Sequence, residues 1–309
     1  MSKQRCALLR PSPGHAADSP VAGMALMLAG TALFSLNDAL GKWLVASYSV
    51  GELLLVRSVA GLILLAPLVG RVGIAAFTTA PRHGLQLVRV VLSTAEVAMF
   101  FWAVSYLPLA DTVTFYLAGP IYVTALSVIL LGEKVGWHRW TAVLVGFVGV
   151  LLALRPSAAS FTLPALIALT GSVIFACLMI VTRSLRETPN TVLVAGQLAG
   201  TLLFGIVMVP FGWINPPPAD LAMLSLFGVL SIIALACVNR ALKLAAASVV
   251  VPYQYTMIVW AVVLGYLVFG DAPDVLTISG ALIIVMAGLY IFWREQVRGQ
   301  PDASPPVYP

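Results

Sequence analysis

Charged residues are scarce in this chain, and their scarcity excludes a water-soluble protein. Only 9% of the 309 residues are Asp, Glu, Lys or Arg, and 61% are hydrophobic, whereas an ordinary soluble domain carries roughly 25% charged residues. Most of the surface must therefore face lipid. A spanning helix takes about 20 apolar residues, so the chain has room for about ten such helices and none for a soluble catalytic domain.

Patterns that carry enzymatic or nucleic-acid chemistry are also missing. No P-loop is present, so ATP hydrolysis by that route is excluded. The cysteines are scattered and odd in number, which argues against a disulfide framework, and the histidines lack metal-ligand spacing. The basic residues form no stripe, although the net charge is +5. We therefore expect no cofactor, no metal and no nucleic-acid partner. The residues concerned are Cys6, Cys177, Cys237, His15, His83 and His138.

Two polar, proline-containing ends flank the apolar part of the chain. Residues 1–20 are predicted to be a disordered tail, and they show no clear cleavage site. Residues 294–309 are predicted to be a second tail, disordered from about Gly299. Between them, apolar runs alternate with turn residues, and these runs must be helical because hydrocarbon leaves no partner for a free backbone amide. The predicted spans are 21–42, 53–70, 85–106, 112–131, 138–154, 162–182, 191–211, 220–240, 246–269 and 274–293.

The distribution of Lys and Arg gives the orientation of these spans. With both tails on one side, fourteen of the 17 basic residues fall on that side, and Lys42, Arg57 and Arg155 fall on the other. Loops rich in Lys and Arg stay in the cytoplasm. The sequence therefore predicts a multi-pass protein of the inner membrane, embedded in the lipid bilayer, with both termini cytoplasmic.

An internal repeat is the most informative feature of the sequence. The stretch LGEKVGWHRWTAVLVGFVGVLLAL (131–154) is similar to FGDAPDVLTISGALIIVMAGLYIF (269–292), in a register that places Gly132 on Gly270 and Glu133 on Asp271. Spans one to five then duplicate spans six to ten. Because five is odd, the second copy enters the membrane upside down. The loop charges agree, since the GEK turn is basic and the GDAPD turn carries no positive charge.

The predicted fold class is therefore an all-α integral membrane protein with ten transmembrane helices as two inverted five-helix repeats. The repeats are predicted to occupy residues 21–155 and 156–293. Inverted halves of this kind build a solute site at their interface near the midplane and alternate its access by rocking. The sequence thus favours a secondary transporter with a small-molecule solute as its partner.

A known family shares these features. The run SYLPLADTVTFYLAGPIYVTALSVILLGEKVGWHRWTAVLVGFVGVLLAL (105–154) resembles the EamA domain of the drug/metabolite transporter superfamily, with its helix ending in Gly-Glu-Lys and its Gly-spaced fifth span. FSLNDALGKWL (34–44) and LLLVRSVAGLILL (53–65) resemble the family's first two helices. The resemblance covers about 21–293. It implies ten helices, an inner-membrane location and uptake or export of metabolites such as amino acids, riboflavin or S-adenosylmethionine, with 252–274 nearest the uptake-type branch.

An ionisable side chain inside a span indicates a functional or structural role, because its insertion into the membrane costs about 2.5–3.5 kcal/mol. Glu96 lies halfway along the third span and is either a site carboxylate for a cationic solute or a proton, or a protonated structural acid. Arg57 could hold an anionic group of the solute, or it could pair with Asp38 at a similar depth while Lys42 extends outward. Asn37 could be a partner or a ligand.

Aromatic and amide side chains form a second candidate constellation. Tyr253, Met257 and Trp260 follow the spacing of one helix face, and Tyr122 is the repeat counterpart of Trp260. An aromatic-lined cavity would suit a flat solute, and ordinary helix packing is the alternative. Two intramembrane amides need hydrogen-bond partners and could face the same cavity. They are Gln197 and Gln254.

Prolines inside the fourth and ninth spans predict kinks that could act in gating. Pro120 follows Gly119, and Pro252 opens the PYQYT run. Each proline removes a backbone donor and frees a carbonyl, although a plain packing bend is equally consistent.

Two other classes of function compete with transport. A multi-pass enzyme would need a polar catalytic cluster, and only isolated charges are present, while a receptor or assembly subunit would need a partner to act. Small residues in the fifth and tenth spans favour close helix packing and would allow a homodimer. They are Gly146, Gly149, Gly280 and Gly288.

Overall fold

The computed structural model describes residues 19–73, 75–78, 81–107, 109–133, 135–154, 162–264 and 275–298. The remainder, which includes most of both predicted tails and the GDAPD turn, lies outside the described residues. All regular secondary structure within the described ranges is helical. The α-helices are α1 Pro20–Val45, α2 Val50–Val72, α3 Ala75–Thr78, α4 His83–Tyr106, α5 Leu109–Tyr116, α6 Gly119–Leu126, α7 Trp137–Leu154, α8 Leu163–Ser184, α9 Asn190–Met208, α10 Pro218–Leu244, α11 Ala247–Val250, α12 Met257–Leu264 and α13 Val275–Arg298.

Six helices of the described part are long and apolar enough to span a membrane. They are α1, α2, α4, α8, α10 and the continuous segment Asn190–Phe211, which extends α9 by a 3-10 turn. They coincide with the predicted first, second, third, sixth, eighth and seventh spans, so an all-α, multi-pass membrane protein is confirmed. The last helix continues to Arg298, five residues into the predicted C-terminal tail, and Pro20 begins α1.

The predicted fourth and ninth spans are both interrupted. A turn at Leu117–Ala118 separates α5 from α6, and Pro120 lies in the first turn of α6. In the ninth span, the 3-10 helix Val251–Thr256 separates α11 from α12, with Pro252 at its start. Both breaks lie where a proline lacks the amide that would continue the helical hydrogen bonds. The predicted departures from straight helices at these prolines are therefore present.

Four antiparallel helix pairs dominate the packing, and each joins the first half of the chain to the second. The start of α2 lies against the end of α9, since Gly51 meets Met208. Ten residues later in α2, Gly61 lies against Leu198, which is ten residues earlier in α9. In the same way α1 packs on α10, α4 on α8 and α7 on α13. The bundle is thus built by interleaving the two halves.

Glycine permits the closest of these contacts. A Cβ atom at Gly149 of α7 would lie 2.9 Å from the carbonyl oxygen of Gly280 in α13, while Gly146 packs on the ring of Tyr255, and Gly288 has open space around it. The predicted close packing of the fifth and tenth spans is therefore a contact within the chain, and a homodimer stays a prediction.

One end of the bundle carries the start of α1 and the end of α13, and we call it the terminal end. The hydroxyl of Tyr253 contacts both Met24 Sδ at 2.9 Å and the carbonyl of Gly288 at 3.3 Å, which places the two helix ends together. The α1–α2 connection, with Tyr48, lies at the opposite end. There the Tyr48 hydroxyl donates to Asp220 Oδ2 at 2.5 Å, and this hydrogen bond raises the pKa of Tyr48 to about 12.

Candidate solute-binding cavity

A cavity in the middle of the bundle brings together most of the predicted site residues. Seven of the ten line it, and they come from both halves of the chain: from α1, α2 and α4, and from α9, the 3-10 helix and α12. Glu96 lies near the middle of α4, so the cavity is at mid-depth. The seven residues are Asn37, Asp38, Arg57, Glu96, Gln197, Gln254 and Met257.

Arg57 is held by the eighth predicted span rather than by the first. Its side chain is only 3% exposed, its Nε donates to Ser231 Oγ at 2.9 Å, and its guanidinium carbon lies 5.2 Å from the centroid of the Phe227 ring. Among the described residues no direct ion pair joins Arg57 to Asp38, so the structure does not contain the pair that the sequence suggested. The guanidinium is oriented by α10 while it still lines the cavity.

The two carboxylates of the cavity make no hydrogen bond or direct ion pair within the described residues. Neither the Asp38 nor the Glu96 side chain makes a hydrogen bond or ion pair with any residue in the described ranges, and both line the cavity. Asn37, next to Asp38, has its Nδ2 committed to the carbonyl of Phe227 at 2.8 Å. Asn37 therefore has a structural partner, whereas the two acids face the cavity.

Lys42, in the last turn of α1, is directed toward the end of α4, on the side predicted to be outside. Its Nζ donates to the carbonyls of Val104 and Leu107 at 2.6 and 3.1 Å, where α4 ends. Carbonyls at a helix C-terminus have no intrahelical partner and attract a cation. Lys42 is thereby bound away from the cavity carboxylates.

The two predicted amides lie in the cavity wall with unused hydrogen-bonding capacity. Gln197 is 5% exposed and Gln254 is 8% exposed, and the Oε1 atom of each has no partner among the described residues. A buried amide oxygen without a partner costs about 1–3 kcal/mol. A bound solute can supply the missing donors.

Aromatic rings form much of the remaining wall, and the sequence did not single them out. Phe100 and Tyr116 meet edge to face with centroids 5.0 Å apart, and Tyr116 also contacts Phe175 at 6.0 Å. The Tyr116 hydroxyl donates to the backbone carbonyl of Glu96 at 3.3 Å. Gly119 packs on the Phe175 ring, where an added Cβ would lie 3.2 Å away.

Three members of the predicted aromatic constellation lie outside the lining. Tyr253 is buried in the core against Met24, and Tyr122 packs on the same apolar cluster. Trp260 is half-buried in α12. The prediction that these side chains share one helix face assumed a continuous α-helix. Tyr253 instead belongs to the 3-10 helix, whose three residues per turn rotate its side chain away from that of Met257.

A polar cluster lies between the cavity and the terminal end. Arg89, which the charge distribution had placed among cytoplasmic cations, is 1% exposed. Its three nitrogens donate to Thr182 Oγ1 at 3.0 Å, the Leu193 carbonyl at 2.8 Å and Asn239 Oδ1 at 3.0 Å. These partners belong to α8, α9 and α10. The polar cluster (Arg89, Thr182, Leu193, Asn239) therefore ties α4 to three helices of the second half.

Glu133, from the Gly-Glu-Lys turn, joins the halves at the same end. Its carboxylate accepts from the amides of Ala247 and Ser248 at 3.0 and 3.1 Å and from Ser248 Oγ at 2.6 Å. It thereby caps the N-terminus of α11, which begins the broken ninth span. Arg183 Nε lies 3.9 Å from Glu133 Oε1.

An aromatic pair lies on the other side of the cavity. Phe101 of α4 and Phe227 of α10 meet edge to face with centroids 5.4 Å apart, and both are buried. Gly41 of α1 packs against both rings. Arg57 lies over Phe227, so the aromatic pair (Phe101, Phe227) is in contact with the charged wall of the cavity.

Comparison with known proteins shows the family and the fold of this chain. The sequence profile of the EamA-like transporter family matches residues 21–155 and again residues 162–293. A solved crystal structure superposes with a TM-score of 0.76, covering 91% of this chain and 100% of that chain at 15% identity. At this level of identity the superposition shows the fold alone.

Several transporters are similar to this chain over most of their length. The S-adenosylmethionine uptake transporter of Rickettsia prowazekii is 26% identical, covering 89% of this chain and 93% of that protein. The riboflavin transporter of Vibrio cholerae is 27% identical, with coverages of 92% and 97%. The pseudopaline exporter of Pseudomonas aeruginosa is 28% identical, with coverages of 86% and 94%.

Proposed function

Because this chain belongs to the EamA-like transporter family, it is a small-molecule transporter and not an enzyme, and we propose that it moves an organic metabolite across the inner membrane by alternating access. The cavity carries this proposal. It lies at mid-depth and both halves of the chain line it. It contains one guanidinium and two carboxylates that make no hydrogen bond or ion pair with any residue that the structure describes. Transport then draws on an ion or solute gradient and needs no ATP.

The proposed architecture is ten helices in two inverted repeats. Two separate matches to the family profile, at 21–155 and 162–293, support it. The helix pairing supports it as well, because α2 and α9, and likewise α7 and α13, are proposed repeat counterparts that pack antiparallel. In this scheme α5 with α6 forms the fourth span, and α11 with α12 the ninth, so both breaks fall at equivalent places.

The terminal end is proposed to be cytoplasmic. The basic side chains of Arg183 and Lys243 lie there, where Arg183 donates to the carbonyl of Leu242 and Lys243 donates to the carbonyl of Thr188. Cytoplasmic ends of membrane proteins are rich in Lys and Arg. Both chain termini then lie in the cytoplasm.

Alternating access requires a closure on each side of the cavity, and we assign these closures to the polar cluster and the aromatic pair. In the register that places Gly132 on Gly270, Arg89 corresponds to Phe227 and Phe101 corresponds to Asn239. The two closures thus occupy equivalent positions of the two halves. One is polar and hydrogen-bonded, and the other is apolar.

The rocking of one half against the other would break one closure while keeping the other. Arg89 lies seven residues before Glu96, about 10 Å along α4 at 1.5 Å per residue, and Phe101 lies five residues beyond Glu96. Opening the polar cluster would connect the cavity to the cytoplasm. Separating Phe101 from Phe227 would connect it to the opposite side and would also release Arg57.

Solutes of the relatives provide the first compounds to test. S-adenosylmethionine and riboflavin both carry flat ring systems that suit a wall containing Phe100, Tyr116 and Phe175. Detergent-purified protein should be stabilised by its solute in proportion to concentration. The same solute should then show saturable counterflow in liposomes that contain only this protein and no ATP. Binding without counterflow would contradict transport.

A further inference from the structure

We infer that the solute carries a net positive charge, with two cationic groups for each anionic group, and that it binds with an aromatic or flat body against the rings of the cavity. This inference rests on the proposed function and names the substrate class of the same site. It follows from the charges of the cavity wall, from the hydrogen bonds that the neighbouring cations already make, and from the arrangement of the aromatic rings.

The wall of the cavity contains one more acid than base. Asp38 and Glu96 are its carboxylates and Arg57 is its guanidinium, and within the described residues no other Asp, Glu, Lys, Arg or His lines it. Buried charges in a membrane protein occur paired with one another or with a ligand. With both acids ionised, the wall lacks one positive charge.

The nearby cations are engaged elsewhere and cannot supply that charge. Lys42 donates to the carbonyls at the end of α4. Each of the three guanidinium nitrogens of Arg89 donates a hydrogen bond to another member of the polar cluster. Arg57 itself is fixed by Ser231 and Phe227, which leaves one guanidinium to face two acids.

A solute with two cationic groups and one carboxylate would match this wall charge for charge. Its cationic groups would neutralise Asp38 and Glu96, and its carboxylate would bind Arg57, whose planar fork suits a carboxylate. Hydrogen bonds between ions of opposite charge are roughly twice as strong as neutral ones. With a neutral or anionic solute, at least one carboxylate would have to take up a proton or remain uncompensated in a buried site.

The unused amides and the rings favour the same class. The Oε1 atoms of Gln197 and Gln254 have no donor among the residues that the structure describes. An ammonium or a ring amino group of the solute has several N–H donors that could bind them. Cations bind to the faces of aromatic rings, and Phe100, Phe175 and Tyr116 present rings to the cavity. An organic cation with a flat body can therefore use every kind of group in the wall.

Pairs of compounds that differ in one charge test the inference with little change in shape. S-adenosylmethionine has a sulfonium where S-adenosylhomocysteine has a neutral thioether, and L-arginine has a guanidinium where L-citrulline has a neutral ureido group. We expect the cationic member of a pair to stabilise the full-length protein in detergent, and to compete for counterflow in liposomes, at a roughly ten- to hundredfold lower concentration than its neutral partner, the range for loss of one charged hydrogen bond.

Variants connect the preference to the two acids. Asp38→Asn and Glu96→Gln keep the shapes of the side chains and remove one charge each. Each should therefore reduce, by about tenfold, the ratio of the effective concentration of the neutral member to that of the cationic member. Glu187→Gln, on the exposed loop after α8, is the matched control and should keep the ratio.

The possible outcomes distinguish failure of the inferred charge of the solute (the charge class) from failure of the proposed transport function. Preferential binding and counterflow of the cationic members support both. Saturable counterflow of the neutral members at equal or lower concentrations overturns the charge class and leaves transport standing. Preferential binding of the cations without counterflow supports the charge class and overturns the proposed function. A ratio that persists in Asp38→Asn and in Glu96→Gln would remove the assignment to these acids.

Discussion

The guanidinium of Arg57 lies 5.2 Å from the centroid of the Phe227 ring, and this contact connects the charged wall of the cavity to the aromatic pair. Arg57 also donates to Ser231 one turn further along α10. A movement of α10 that separates Phe227 from Phe101 would therefore shift the one base of the cavity wall. In the proposed mechanism, Arg57 would therefore couple the opening of that side to the release of an anionic group.

Replacing Arg57 tests this coupling. Arg57→Lys keeps the charge but loses the planar fork and the stacking on Phe227. We expect it to weaken solute binding about tenfold, which corresponds to about 1.4 kcal/mol, and Arg57→Ala to weaken it more. Thermal stabilisation by the solute measures both. Equal affinity of Arg57→Lys and the native protein would show that the fork and the stacking contribute nothing.

Glu96 lies near the middle of α4, and a buried carboxylate at this position could exchange a proton for a cationic solute. Glu96→Gln cannot bind or release a proton at this position. We therefore expect flux driven by a pH gradient to be lost in this variant while the protein remains folded in the membrane. Glu187→Gln should keep the flux. Native pH dependence of flux in Glu96→Gln would exclude Glu96 as the proton site.

Glycine at position 149 is required for the contact between α7 and α13. Gly149→Ala places a Cβ 2.9 Å from the Gly280 carbonyl oxygen, and overpacking of this kind typically costs about 1–3 kcal/mol. Gly288→Ala, on α13 with open space around it, should be neutral or stabilising by up to about 1 kcal/mol, because alanine favours the helix. Unfolding temperatures in detergent compare the two. Equal temperatures would contradict the close approach.

Glu133 caps α11 with three hydrogen bonds, so its removal should loosen the broken ninth span. Glu133→Ala leaves the amides of Ala247 and Ser248 without their acceptor, and we expect a loss of about 1–3 kcal/mol in stability. Glu187→Ala is the control for loss of a carboxylate at the same end. Hydrogen exchange of residues 247–256 should increase in the first variant only, and unchanged exchange there would show that the cap is dispensable.

The charges of the cavity could be predicted because a charge in an apolar span is rare and expensive. This rule singles out Arg57, Asp38 and Glu96, and all three line the same cavity. The aromatic rings of the wall could not be found, since these helices are apolar on every side and periodicity does not distinguish a lipid-facing ring from a cavity-facing one.

Arg89 shows where counting charges fails. The predicted span 85–106 already contained it, but the positive-inside pattern assigned it to the cytoplasmic surface, whereas three helices of the second half bury it. Its partners are far away in the sequence and become neighbours only through the antiparallel pairing of the halves. The same pairing explains why Arg57 meets Ser231 rather than Asp38.

The central claim, that the cavity opens alternately past the polar cluster and past the aromatic pair, is tested most directly by accessibility from each side. Ser93 lies on α4 between Arg89 and Glu96 and is fully buried. Ser93→Cys, in a chain whose native cysteines are replaced, provides one thiol for a membrane-impermeant reagent added to vesicles of known orientation. The native closures should keep its labelling slow from both sides.

Arg89→Ala in this background should accelerate labelling from the cytoplasmic side only, because it removes the three hydrogen bonds of the polar cluster. Phe101→Ala should accelerate labelling from the opposite side only. Labelling that increases equally from both sides in both variants, or that follows the reverse pattern, would contradict alternating access through these two closures.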